Sequence, residues 1–416
     1  MNSPNQATSS EHNTKKKIHP IVFTFLILPM GVMSGYVNVT LAFLYSSAGL
    51  SVEQVAALVA AGLAPHIFKF LWAPLVDSTL SAKKWYLIAN TLSALGMLAM
   101  GILPVTSSNL VLISAIVWLA NFAVTFVAMA TESIMAYDVP EELKGRAGGY
   151  FQAGNLGGNG VGGGIGLLLA QRLPDPWMTA VIIAGSCFLC SAGLFFVNDV
   201  KSSVRGESLI SSFRNVIVDI WNILKSQSGL LVVILCFLPM GTGAASNLWA
   251  AVADDWNASA DTVALVTGVM GGLLSAAGCL LGGWICDRMN RKTAYWLFGL
   301  VGGLTALGMA FAPKTELMYI LWTSFYAITV GLSYAGFTAV VLEAIGTGAA
   351  ATKYNIFAAL SNTPIYYMIY INGQAHTQWG PKGMLSTEAV FAFLAVLFFI
   401  LLQLIITSKK NSSTKA

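Results

Sequence analysis

A helix of about twenty apolar residues crosses roughly 30 Å of hydrocarbon, and this chain repeats that pattern twelve times. The blocks lie at 20–45, 55–76, 85–104, 109–137, 147–171, 177–197, 228–252, 262–285, 293–312, 318–346, 354–374 and 389–407. Only 10% of the 416 residues are charged, where a soluble domain carries about 25%, and the mean hydropathy is +0.71. A soluble enzyme or nucleic-acid binder could not cover its surface with so few charges. Intrinsic disorder needs the opposite composition. The pattern therefore predicts an all-α membrane protein. The first block is not read as a cleavable signal peptide: it is too long, lacks a small-residue cleavage site and precedes eleven further spans.

The basic residues orient the spans. With both termini in the cytoplasm, 18 of the 22 Lys and Arg fall in inner segments. Arg172, Lys314 and Lys382 fall outside, and Lys69 stays within a span. The chain also repeats itself. Leu28-Pro29-Met30-Gly31 recurs as Leu238-Pro239-Met240-Gly241, Asp77 recurs as Asp287, and Glu132 recurs as Glu343. The first two matches are offset by 210 positions and the third by 211. An even number of spans per copy makes the repeat parallel. The expected organisation is an N-terminal tail (1–19), a six-helix bundle (20–198), a linker (199–226), a second six-helix bundle (227–407) and a C-terminal tail (408–416). In the linker, Leu209, Ile210, Phe213, Val216, Ile217, Ile220, Trp221 and Leu224 fall on one helical face. This predicts an amphipathic helix, lying on the membrane or packed on protein.

The turn after the eighth span reads Gly283-Trp284-Ile285-Cys286-Asp287-Arg288-Met289-Asn290-Arg291-Lys292. It resembles the major-facilitator signature G-x-x-x-D-R-x-G-R-R/K, with Asn290 where Gly is usual. Asn tolerates a positive φ, so the tight turn is expected to survive. The first-half copy is degraded to Asp77 followed by Lys83 and Lys84. Three further stretches are Phe68 to Asp77, Asp138 to Ala147, and Ala351 to Ser361. They are similar to the branch holding muropeptide permeases, acetyl-coenzyme A transporters and siderophore-uptake permeases. The resemblance implies the major facilitator fold, with twelve transmembrane helices in two pseudo-symmetric six-helix bundles. It also implies a bacterial inner-membrane permease importing a sizeable organic solute with protons. In the family, Asp77, Lys83, Lys84, Gly283, Asp287, Arg288, Arg291 and Lys292 would form the inner-gate motif.

Within the spans as drawn, only Lys69, Glu132 and Glu343 are charged. Ionisable groups in a membrane are costly and usually functional. Glu132 and Glu343 could carry protons, or they could pair with Lys83/Lys84 and Arg288/Arg291 as a relay that fixes the gate. Lys69 could snorkel to the surface or meet an anionic solute. Gly154, Gly158, Gly162 and Gly166 form an i, i+4 row suited to close helix approach. Gln152, Asn155 and Asn159 form a polar strip that faces a cavity or bonds neighbouring helices. Tyr36, Asn38, Asn247, Asn362, Tyr366 and Tyr370 are further cavity candidates, although tyrosines near span ends also anchor at interfaces. His66 could titrate or bind solute, or be a structural hydrogen-bonding group.

Gly158 to Gly163 spells G-x-G-x-x-G, but inside a membrane helix it has no strand-to-helix context. Cys187 and Cys190 lie in an apolar span without His or acidic ligands, so no metal or cofactor is expected. The expected function is secondary transport by alternating access, with a small-molecule solute, a proton and the lipid bilayer as partners, as a monomer and without nucleic acid. Efflux of an amphipathic compound is the alternative within transport. A transport-dead membrane sensor is the alternative outside it. An enzyme would need clustered catalytic side chains at one membrane face, and none is found.

Overall fold

The computed structural model describes residues 18–50, 52–199, 227–346 and 349–413, with a few positions between 211 and 225. Both tails' extremities and most of the linker positions assigned to an amphipathic helix lie outside the described residues. Among the described residues the helical pieces group into twelve membrane-length segments. These are α1 (Val22–Ser47), α2 (52–78), α3 (Ala82–Ile102), α4 (Ser107–Asp138), α5 (144–172) and α6 (Pro176–Phe196), then α7 (227–256), α8 (Asp261–Cys286), α9 (Arg291–Phe311), α10 (Glu316–Ile345), α11 (350–379) and α12 (381–413). The fold repeats as the sequence does: α3 packs on α4 and α6, as α9 packs on α10 and α12. The two sequence halves meet where α5 lies against α8 and α10, and where α11 lies against α2 and α4.

Helix α5 carries the tightest packing. Gly154, Gly158 and Gly162 face the backbone of α1, where a Cβ on any of them would run into Thr24, Leu28 or Val32. Gly149, Gly157 and Gly160 face α8 instead, against Gly283, Ala276 and Gly272. Glycine on both faces lets one helix sit between two others at backbone contact. Gly166 meets the Thr40 hydroxyl of α1. Here both helices widen into π turns, Tyr36–Leu41 in α1 and Val161–Ile165 in α5. Thr40 Oγ1 lies 3.0 Å from the Gly162 carbonyl oxygen and 3.2 Å from that of Gly163. The hydroxyl thereby serves backbone acceptors at a π widening, a geometry frequent at functional sites.

Other spans also depart from straight helices. Pro74 has no N–H to offer the turn before it, and α2 tightens into a 3-10 turn at Lys69–Leu71. Helix α7 breaks after Phe237, with Gly241 at φ 61 and Gly243 at φ 70, before resuming as short turns from Ala244. The same Leu-Pro-Met-Gly letters run straight through α1. The difference is the sequel: Val32-Met33 in α1, but Thr242-Gly243 in α7, where a second glycine lets the chain turn left-handed again. The eleventh and twelfth spans form a continuous helical stretch, Thr363–Ser413, interrupted at Gly380 (φ 67, ψ -168). Asn372 and Glu388 flank that glycine and touch at 2.5 Å, whereas a straight helix would hold them about 24 Å apart. The chain therefore reverses at Gly380-Pro381. The twelfth helix starts well before residue 389, so Glu388 is a membrane residue that the drawn span excluded.

Candidate functional site

Two layers of polar groups join the halves at the end that carries the basic turns. Asp77 ends α2 and is buried. It accepts hydrogen bonds from the N–H groups of Ala351 (3.3 Å) and Thr352 (2.9 Å) and from the Thr352 hydroxyl (2.7 Å). These donors are the free N–H groups at the start of α11, where a carboxylate is favoured by both hydrogen bonding and the helix dipole. Asp287 ends α8 and repeats the arrangement on α5. It accepts from the Arg146 N–H at 3.1 Å and from Arg146 Nε at 2.5 Å. Each aspartate thus caps a helix of the opposite half. Gly283 makes room for this: it lies against the backbone of Gly145 and Gly149.

A second set of charges lies beside the first. Glu141 bonds Lys144 at 2.8 Å and Arg291 across the halves, and Arg291 and Lys292 reach Glu343 at 3.3 and 3.4 Å. Lys144 Nζ donates to the Leu342 carbonyl of α10 at 3.2 Å. Partial burial raises the Glu141 carboxyl, but hydrogen bonds from Lys144 and Arg291 outweigh it and hold the group below its ordinary value. A depressed carboxyl contributes above its unfolded value and loses that contribution as pH falls through the folded one. The Glu141 contacts should therefore be insensitive from about pH 5 to 8 and fail only in acid. Spin labels on the Glu141 turn and the start of α9 would check this, by a distance that lengthens only at the acid end.

Two expectations need correction here. Glu132 does not pair with Lys83 or Lys84; its partner is Lys69, at 3.6 Å. The 3-10 turn of α2 swings Lys69 toward α4, so a charge that could have met a solute is engaged by a carboxylate. Among the described residues no ion pair joins Lys83, Lys84 or Arg288 to a carboxylate, and Arg288 lies over its own helix's Trp284, 3.7 Å from the ring centroid. Asn290 is not at positive φ. At φ -58 its Oδ1 caps α9, accepting from Lys292 and Thr293 N–H at 3.1 and 3.2 Å.

Nearer mid-membrane, Asn355 of α11 donates to Glu132 Oε2 at 2.6 Å. Gln152 donates to Thr338 of α10 at 2.9 Å, Asn155 donates to Gln152 Oε1 at 3.1 Å, and Thr338 meets Tyr354 of α11 at 3.1 Å. Two of the three α5 amides therefore sit in a bonded network across the halves. The third, Asn159, lines a cavity of about 410 Å³ with Thr242, Ser246, Asn247, Thr267 and Tyr334. The break in α7 supplies one wall of that cavity. Asn362 lines a separate space of about 50 Å³ beside Gly241, Thr242 and Tyr295. Tyr36 is fully buried with an unpartnered hydroxyl, and His66 bonds Asn121 at 3.1 Å. Neither lines these spaces, nor does half-buried Asn38. Tyr366 and Tyr370 are 62% and 69% exposed, with Tyr370 on an apolar groove between α11 and α12.

The sequence reading did not single out Asn355 or Thr338, and it left one buried carboxylate outside the membrane. Glu388 of α12 is 7% exposed and bonded by Tyr326 Oη at 2.8 Å and Asn372 Nδ2 at 2.5 Å. The sequence signal existed: an acidic residue on an apolar run, one position outside the drawn span.

A sequence model of the Major Facilitator Superfamily matches residues 22–366. The anhydromuropeptide permease of Escherichia coli K12 is 22% identical over 355 residues, covering 80% of this chain and 70% of the permease. Three solved structures share the fold. The human organic anion transporter MFSD10 has a TM-score of 0.67 at 14% identity, covering 91% of this chain and 98% of its own. The E. coli fucose:proton symporter has a TM-score of 0.67 at 13% identity, with the same coverage. The proton:xylose symporter XylE has a TM-score of 0.64 at 14% identity, covering 91% and 94%. Matched over most of its length in sequence and in fold, the chain belongs to the major facilitator superfamily of membrane transporters.

Proposed function

We propose that this transporter imports a medium-sized polar organic solute, of the anhydromuropeptide class, together with protons. The observation that carries the reading is the pairing of a cross-half latch with a polar cavity. Asp77 and Asp287 hold the halves together at the basic end, and the cavity of about 410 Å³ lies between α5 and the C-terminal half. That volume falls in the range of small-molecule sites. Its walls offer amides and hydroxyls rather than fixed charges, which suits a polyhydroxylated or amide-bearing solute. The permease relative is named for anhydromuropeptides, and two fold neighbours are proton symporters. The moving bodies would be 20–198 and 227–407. The distribution of Lys and Arg supports placing the latch and both termini on the cytoplasmic side.

In this cycle, the latched form admits solute from outside. Breaking the two aspartate caps opens the basic end and releases the solute inward. The test is uptake of radiolabelled anhydromuropeptide by proteoliposomes holding the full chain, with and without an imposed pH gradient. Accumulation that collapses with the gradient is the expected result. Uptake that ignores the gradient would sink proton coupling, and no uptake beside empty vesicles would sink the solute class.

A further inference from the structure

Away from the latch, where Asp77 is held by helix N–H groups and a hydroxyl, lies a second buried carboxylate in no ion pair among the described residues. Glu132 has Lys69, Asp287 has Arg146, and Glu343 has Arg291 and Lys292. Glu388 has a phenol, an amide and the backbone N–H of Ala245, and among the described residues it makes no ion pair. A carboxylate buried in a span without a cation is costly even when hydrogen-bonded, which marks Glu388 as a functional candidate.

Its amide partner is suited to two states. Asn372 is fully buried, and its Oδ1 has no hydrogen-bond partner while Nδ2 donates to Glu388. The N side of an amide serves a carboxylate, and the O side serves the O–H of a carboxylic acid. A half-turn of the Asn372 amide would therefore satisfy the orphaned oxygen when Glu388 holds a proton, with no backbone movement. The phenol of Tyr326 can donate or accept as required.

Access is also built in. Glu388 borders a void of about 10 Å³ walled by Gly241, Gly243, Gly302, Gly303 and Thr329, space for about one water. Gly243 and Val330 also line the cavity of about 410 Å³, so the break in α7 and the Val330 side chain separate the carboxyl from the cavity. The surroundings offer little else that titrates. Helix α10 presents Tyr326, α7 presents glycines and the Ala245 N–H, and α9 presents glycines. Helix α11 presents Asn372 and, one turn outward, His376, which is engaged by Asp255 at 2.7 Å.

We propose that Glu388 is the carboxyl that takes up and releases the coupling proton, with the broken segment of α7 as its gate. The inference rests on the proton-coupled reading above. A proton from outer water forms an O–H bond at Glu388 as the Asn372 amide turns its oxygen toward it. After the cavity faces inward, that O–H bond breaks, the proton passes to inner water, and Asn372 Nδ2 again donates to the carboxylate.

Two measurements on the full chain decide the matter. The first needs no solute: pH-difference infrared spectra in lipid nanodiscs, taken between about pH 5 and 9. A carboxylic-acid band present in the wild type and absent from Glu388→Gln is expected. A band unchanged in the variant, or none in the wild type, overturns the proposal. Glu388→Asp, which keeps a titratable group, should retain a shifted band and so separates lost titration from lost folding. The second uses radiolabelled anhydromuropeptide in proteoliposomes. In Glu388→Gln, exchange should stay within about twofold of wild type while gradient-driven accumulation falls at least tenfold. Full accumulation by the variant overturns the proposal. If the wild type itself ignores the pH gradient but follows a sodium gradient, the proton reading fails and takes this proposal with it, an outcome distinct from the variant's behaviour.

Discussion

Gly162→Ala is expected to lower the melting temperature of the purified transporter sharply, and Gly162→Leu to prevent folding. An added Cβ would meet the Val32 carbonyl oxygen, with the carbonyl carbon at 2.7 Å and Cα at 2.8 Å. Backbone cannot retreat as a flexible side chain can, so α1 and α5 must separate. Overpacking of a tight core costs about 1–3 kcal/mol even where side chains adjust, and here the lost contact runs along a whole helix pair. It also displaces the Gly162 carbonyl from the Thr40 hydroxyl. The matched control is Gly185→Ala in α6, where an added methyl meets nothing within 4 Å. Helical alanine is favoured over glycine by about 1 kcal/mol, so this variant should melt at or slightly above the wild type. Equal melting of Gly162→Ala and the control would refute the close-packed seam.

The second large effect should come from the latch. Asp77→Ala removes the acceptor of three hydrogen bonds at the start of α11, and Asp287→Ala removes the acceptor of two at the start of α5. Hydrogen bonds to a charged group contribute about 1.5–3 kcal/mol each, and both aspartates bond across the halves. Each single variant should shift the balance toward a form open at the basic end by at least about tenfold. The double variant should lose gradient-driven uptake. Pulsed distance measurements between labels at the starts of α5 and α11 would show the shift directly. Unchanged distance distributions in the double variant would remove these aspartates from the gate. Asp77→Asn is the more delicate probe, because it keeps the shape and one acceptor oxygen while losing the charge that the helix N-terminus favours.

How much of this was legible beforehand depends on range. The spans, the repeat and the latch aspartates are local or periodic features. Apolar length declares a helix, and a fixed offset declares a duplicate. The glycine row in α5 could be seen as a packing face because helical periodicity is fixed, but which neighbour it meets could not. The break in α7 was hidden because its Leu-Pro-Met-Gly matches the unbroken α1; only the following Thr242-Gly243 separates the two. Glu388 was hidden by a boundary. Hydropathy places a helix end only to within a few residues, and here one residue decided whether a carboxylate belonged to water or to the bilayer.

The partners were beyond the sequence altogether. Lys69 and Glu132 are 63 positions apart and Asn372 and Glu388 are 16 apart, and no periodic rule pairs them. The first contact depends on the tightening of α2 ahead of Pro74, and the second on the reversal at Gly380. By itself the sequence determined the solvent of this chain, its span pattern and its duplication, because each follows from composition and spacing that any fold must respect. Only the tertiary structure decided which charges are paired. Pairing is set by how helices from distant parts of the chain pack, and that packing leaves Glu388 with an amide, a phenol and a backbone N–H where Glu132 has a lysine and Glu343 an arginine and a lysine.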